Sequence, residues 1–300
     1  TPFPNTGGTN AFINSMAADP IDGNKVYAAT SSGLKVTTDG GTTWTTTSIG
    51  AASAWDVEIG SDQTVHAVIA SGATFGNKYY RKRLSDPSFV LATAANSPGF
   101  PLNSIQRLNM AVSPSDPNYV YAIASHSTGS GSLLLGVWKS TDNGTNWTQI
   151  AGATSASTNT WCPVTQGDYA LALGVHPTIP DMIFIGGLDA YRFTPANGWE
   201  KISNWGYPSY WSQYVHADLH TFVFSPGNPN KMFTGSDGGM SATSDCTASV
   251  PAFDTKNKGF AATQFYSCSG VPDEGSVIAG AQDNGNLFRD LTLTMGQNTP

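Results

Sequence analysis

The chain is 300 residues long, with 14 Lys plus Arg against 21 Asp plus Glu, a formal charge of −7, and only 12% charged residues. Gly, Ser, Thr, Asn and Pro are abundant, a balance that favours many short strands with tight turns and argues against long helices. No basic cluster exceeds Tyr80-Arg81-Lys82-Arg83, which argues against a nucleic-acid partner, and no apolar run of about 18 residues is present to form a transmembrane segment.

Read from the N-terminus, one module recurs: an alternating strand, a turn with Pro and Asn or Asp, then a short apolar strand ending in small residues. The copies are NAFINSMAADPIDGNKVYAAT from Asn10, a degenerate AWDVEIGSDQTVHAVIAS from Ala54, LNMAVSPSDPNYVYAIAS from Leu108, YALALGVHPTIPDMIFIGG from Tyr169, HTFVFSPGNPNKMFTGSDGG from His220 and FYSCSGVPDEGSVIAGAQDNG from Phe265. Their anchors, Pro20, Ser61, Pro114, Pro177, Pro226 and Pro272, lie 41 to 63 residues apart, the scale of a four-stranded propeller blade. Within each copy Pro ends the first strand because it cannot donate to a ladder. The second-strand runs KVYAAT, YVYAIA, MIFIGG and KMFTGS suit a sheet covered on both faces. A solenoid is the alternative, and a second motif at a fixed later phase favours the blade.

That motif is TTDGGTTW at Thr37 to Trp44 and STDNGTNW at Ser140 to Trp147. Asp39 and Asp142 can accept backbone N–H bonds inside a hairpin turn, Gly41 and Gly144 can take positive φ, and Trp44 and Trp147 can bury large surfaces. The pattern resembles the Asp-box, S/T-x-D-x-G-x-x-W, of BNR-repeat propellers. In those families the box lies at the blade periphery, which implies a structural role here. A worn copy surrounds Thr243, Asp245 and Phe253.

The stretches QGDYALALGVHP, VHADLHTFVFSPGNPNKMFTGSDGG and QFYSCSGVPDEGSVIAGAQDNGNLF resemble large bacterial secreted or surface proteins with BNR repeats, glycosyl-hydrolase-like or sortilin-like. Such proteins are often exported by type IX secretion and carry further domains. The resemblance implies an all-β, single β-propeller domain over 1–300, built of four-stranded antiparallel blades. Its six modules span 10–50, 51–102, 103–152, 166–206, 214–259 and 260–300, as part of a six- to eight-bladed ring expected to continue past Pro300.

His216, Asp218 and His220 alternate in VHADLHTFVF, so a strand would project all three from one face. Two imidazoles and a carboxylate there suit a divalent cation, a ligand contact or a structural network, and the three readings stay open. No other cofactor is expected. Trp161, Trp205, Tyr210 and Trp211 fall in aromatic loops suited to stacking on sugar rings or to plugging gaps between blades. A hydrolase would need two opposed carboxylic acids, with Asp168, Asp189, Asp218 and Asp237 as possible members, but nothing in the sequence pairs them. Five arginines, none in a sialidase-like motif, disfavour a sialidase. Cys162, Cys246 and Cys268 leave either a Cys246–Cys268 disulfide or free thiols.

The expected protein is therefore a secreted or cell-surface bacterial propeller that binds carbohydrate. The alternatives are a fragment of a xyloglucan-cleaving type of glycoside hydrolase and a module that binds a cell-surface protein.

Overall fold

The computed structural model describes residues 12–70, 77–126, 133–152, 166–258, 265–270, 276–282 and 286–290. These residues form β-strands and turns without a helix, so none of them lies in a helix long and apolar enough to cross a membrane. Five antiparallel four-stranded sheets follow one another, each a meander in sequence order, and a three-stranded sheet follows them. The first contains β1 (Ile13–Ala18), β2 (Val26–Thr30), β3 (Gly33–Thr37) and β4 (Thr45–Thr46). The second contains β5 (Ala54–Ile59), β6 (Val65–Ala70), β7 (Asn77–Lys82) and β8 (Val90–Leu91). The third contains β9 (Ile105–Val112), β10 (Val120–His126), β11 (Leu134–Ser140) and β12 (Thr148–Gly152). The fourth contains β13 (Ala172–Val175), β14 (Ile183–Gly186), β15 (Ala190–Thr194) and β16 (Gly198–Lys201). The fifth contains β17 (Leu219–Ser225), β18 (Asn228–Ser236), β19 (Gly239–Thr243) and β20 (Phe253–Thr255). The last contains β21 (Phe265–Gly270), β22 (Ser276–Ala281) and β23 (Asn286–Asp290).

Chemistry local to the repeat makes the first hairpin of each sheet. Asp19, Ser113 and His176 stand just before the anchor prolines and are buried. Each accepts a backbone N–H two or three residues on: Ile21 N–H to Asp19 Oδ1 at 3.0 Å, Asp116 N–H to Ser113 Oγ at 3.4 Å, and Thr178 N–H to His176 Nδ1 at 3.3 Å. The side chain thus closes the turn while the proline ends the ladder. In the fifth copy the turn is tighter, and β18 begins at Asn228, opposite Ser225.

Alternation on the second strand then stacks the sheets. On β10, Tyr121 and Ile123 enter the core shared with Leu171, Ile183 and Ile185 of the fourth sheet. Their neighbours Val120, Ala122 and Ala124 enter the core shared with Val68 and Tyr79 of the second. The strand reads as a continuous apolar run because both its faces are covered. Four such cores join sheets one to five in succession, the outer two being centred on Leu34 with Val57 and on Phe184 with Leu219. Each fully buried side chain of this size contributes about 1.5–3 kcal/mol.

The first strands β1, β5, β9, β13 and β17 touch one another in that order, and the fourth strands make no comparable contact. Asn14 Nδ2 donates to Ala54 O at 2.7 Å, Met110 N–H to Asp56 Oδ2 at 2.7 Å and Asn109 Nδ2 to Leu171 O at 2.8 Å, linking neighbouring first strands. Sheets that diverge from a common inner edge are the blades of a β-propeller.

Candidate functional site

The face expected from His216, Asp218 and His220 is not formed. Asp218 takes φ 61, in the left-handed region, and β17 begins only at Leu219, so the alternation of a strand does not extend back from His220. His216 lies in an irregular segment with its ring against Gly238, where an added Cβ would meet the ring at 2.3 Å. Among the described residues no three His, Cys, Asp or Glu side chains are grouped to hold a metal ion.

A different set assembles around Asp237, in the turn between β18 and β19. His220 Nε2 lies 2.7 Å from Asp237 Oδ1, and the Tyr169 hydroxyl donates to Asp237 Oδ2 at 2.7 Å. The Tyr169 ring meets His220 edge-on at 5.1 Å. Arg107, on β9, donates to the carbonyls of Asp168 at 3.2 Å and Tyr169 at 2.7 Å. Asn257 clamps the turn, its Nδ2 donating to Gly238 O at 2.6 Å and its Oδ1 accepting from Met240 N–H at 2.8 Å. Tyr169, held by Arg107 of the third sheet, and His220 of the fifth thus meet on one carboxylate. Asp237 was legible as an acidic turn residue, but its partners come from 68 and 17 positions away in sequence.

The aromatic connection between β16 and β17 builds a concave site along β19 and β20. Successive turns fold it, with Tyr207 N–H on Asn204 O at 3.2 Å, Trp211 N–H on Pro208 O at 2.9 Å and Tyr214 N–H on Trp211 O at 2.9 Å. Phe253 N–H donates to Ser212 O at 2.6 Å, which ties the segment to β20. The result is a groove of about 760 Å³ whose lining includes Tyr210, Trp211, Ser212, Lys231, Asp254 and Lys256. Tyr210 is 83% exposed and Trp211 50% exposed, and Tyr207 supports the indole at 4.8 Å between ring centroids. Hydroxyls of Ser212, Thr243, Ser244 and Thr255 line the same space. Of the predicted aromatics, Tyr210 and Trp211 share this groove. Trp205 lies outside it, its N–H held by Asp189 Oδ1 at 2.8 Å, and Trp161 lies outside the described residues.

Of the acids considered for hydrolysis, Asp189 and Asp237 are each held by side-chain partners. Asp189 is buried and pairs with Lys201 at 2.8 Å. Asp237 is engaged by His220 and Tyr169. Asp56 and Glu58, two residues apart on β5, are the carboxyls held toward neutrality: burial raises both, and the charge of Asp56 raises Glu58 further. Asp56 is enclosed, with its oxygens on Met110 N–H and Val57 N–H.

The two turn motifs have matching geometry. Thr37 and Ser140 hydroxyls accept from the N–H groups of Gly41 at 3.0 Å and Gly144 at 2.9 Å. They donate to Asp39 and Asp142, which accept from Thr43 N–H at 2.9 Å and Asn146 N–H at 2.7 Å. The indoles of Trp44 and Trp147 donate to the carbonyls of Gly41 and Gly144. Hydrogen bonds from the Thr43 side chain and backbone, and from Thr37, hold the Asp39 carboxyl at about 2. These turns join the third and fourth strands, away from the inner edge. Cys246 and Cys268 are unpaired: Cys246 is buried in the core between the fourth and fifth sheets, whereas Cys268 is exposed on β21. The expected disulfide between them is therefore not made, and Cys162 lies outside the described residues.

No family model and no curated protein matches the chain. Among solved structures it is similar to the GH74 enzyme of Niastella koreensis, at 21% identity over 93% of this chain and 43% of that one, with a TM-score of 0.61. It is also similar to the extracellular domain of a hybrid two-component system from B. thetaiotaomicron, at 13% identity over 96% of this chain and 34% of that one, with a TM-score of 0.53. The chain spans less than half the length of either structure. At these identities the likeness establishes the fold.

Proposed function

We propose that this chain is a carbohydrate-binding β-propeller of the BNR/Asp-box type, exported to the bacterial cell surface or medium. The groove of Tyr210 and Trp211 carries the reading. It is lined by exposed aromatics together with hydroxyl-bearing and charged residues, and sugars need both: an apolar platform for ring C–H groups and adaptable hydrogen-bonding partners for their hydroxyls. The likeness of the fold to an extracellular domain supports export.

The test is calorimetric titration with soluble plant and microbial glycans. Trp211→Ala and Tyr210→Ala should each weaken binding about fivefold, as loss of a stacking face worth about 1 kcal/mol predicts. Binding that survives both substitutions unchanged would remove the groove from the account.

The fold's likeness to a GH74 enzyme favours glycoside hydrolysis as a second reading. Hydrolysis needs two carboxylic acids about 5–10 Å apart across the sugar. Among the described residues Asp254 is the one carboxylate lining the groove, which favours binding as the activity there. Turnover of a bound glycan, abolished by one Asp or Glu substitution, would reverse that preference. Silence toward every glycan would favour a cell-surface protein partner.

A further inference from the structure

We propose that the glycan taken by the groove is anionic, a polysaccharide carrying uronic acids; the inference rests on carbohydrate binding at Tyr210 and Trp211. The chain as a whole is acidic, at −7, yet the groove carries two ammonium groups against one carboxylate. Lys231 Nζ sits 5.3 Å from the centre of the Phe233 ring, and among the described residues no carboxylate pairs with it. The ring steadies the cation without cancelling its charge. Lys256 pairs with Asp254 at 2.9 Å, but the Asp254 side chain is 80% exposed and the Lys256 side chain 44% exposed. Such a surface pair is weak enough for a ligand carboxylate to compete for the ammonium.

The two lysines line the same groove as Trp211. A sugar ring stacked on the indole would hold a carboxylate on its C5 substituent within a field of net positive sign. One net charge in the groove suits the single carboxylate of each uronic acid. A densely sulfated chain would bring more negative charge per sugar than one net positive charge can offset.

The test compares tetragalacturonate, its methyl ester and a dextran sulfate oligomer on the full chain, by calorimetry at low and high salt. Each exposed ion pair contributes up to about fivefold, so the wild type should prefer the acid over the ester by about two- to fivefold, and salt should erase the difference. Lys231→Met and Lys256→Met should each lower affinity for the acid by a larger factor than affinity for the ester, with melting temperatures confirming that both variants fold. Equal binding of acid and ester by the wild type would overturn the anionic assignment while leaving carbohydrate binding intact. Tighter binding of dextran sulfate than of tetragalacturonate would overturn the uronic-acid assignment. Failure to bind any glycan, neutral ones included, would overturn the carbohydrate reading itself.

Discussion

Replacing Asp142 by Ala should destabilise the protein far more than the same change at Asp39, although the two turns have the same internal bonds. Asp142 accepts from Ser140 Oγ at 2.8 Å, Thr145 N–H at 3.1 Å, Asn146 N–H at 2.7 Å and Asn146 Nδ2 at 2.5 Å. The turn it organises is wedged against the second sheet. Arg81 donates to Asn143 O at 3.2 Å, Arg83 to Thr145 Oγ1 at 2.6 Å, and Asn143 Nδ2 reaches Asp62 and, at 3.2 Å, Thr64 Oγ1. The turn also seats Trp147, 5% exposed, edge-on against Tyr79 at 5.8 Å and Phe100 at 5.0 Å. Water can replace the bonds to exposed Asn146, whereas the part-buried Thr145 N–H and Ser140 hydroxyl lose a charged acceptor, a loss of about 1.5–3 kcal/mol for a hydrogen bond to a charged group. Allowing for relaxation, Asp142→Ala should cost about 2–3 kcal/mol and lower the melting temperature by roughly 3–5 °C. Asp39 is exposed and its Trp44 only half-buried, so solvent compensates there and the loss should be distinctly smaller. Chemical denaturation of the two variants measures both values. Equal losses, or an Asp142→Ala variant within about 0.5 kcal/mol of wild type, would refute the claim that inter-sheet packing sets the difference.

Two further outcomes follow from buried groups. Burial, reinforced by Arg81, depresses the His66 imidazole to about 3. Between pH 3 and 6.5 the unfolded chain therefore binds a proton that the folded chain refuses, and this contribution makes stability rise with pH across that window, with a slope approaching about 1.4 kcal/mol per unit. The raised carboxyls of Asp56 and Glu58 act oppositely, so the quantity to compare is the slope in wild type and His66→Phe: it should flatten in the variant, and identical slopes would contradict the assignment. In a Cys162→Ser background, a thiol reagent should modify exposed Cys268 at once. Cys246, buried with its thiol pushed up to about 12, should react only on unfolding, and rapid labelling of both would contradict the packing described.

The parts of this protein that sequence determines are those governed by neighbours along the chain. Apolar runs such as YVYAIA imply strands covered on both faces, and Val120 and Tyr121 go to opposite cores as the two-residue period requires. Pro20, Pro114 and Pro177 mark first-hairpin turns because their chemistry is confined to a few residues. The Asp39 and Asp142 turns are legible for the same reason. Where the alternation of a strand is assumed rather than enforced, the reading fails: Asp218 at positive φ breaks the His216-to-His220 face, and nothing in VHADLH announces that reversal. Cys246 and Cys268 lie in neighbouring repeats, but one faces a core and the other solvent.

The groove depended on tertiary structure almost entirely. Tyr210 and Trp211 stood out as loop aromatics, but Lys231, Asp254 and Lys256 carry no local signal, and they meet the aromatics only because Ser212 pairs with Phe253. Asp237 likewise acquires Tyr169 from the neighbouring sheet. Strand period and turn chemistry specify each sheet from within, whereas the offset at which one sheet rests on the next comes from side-chain packing summed over a whole interface. That offset decides which surface residues come together.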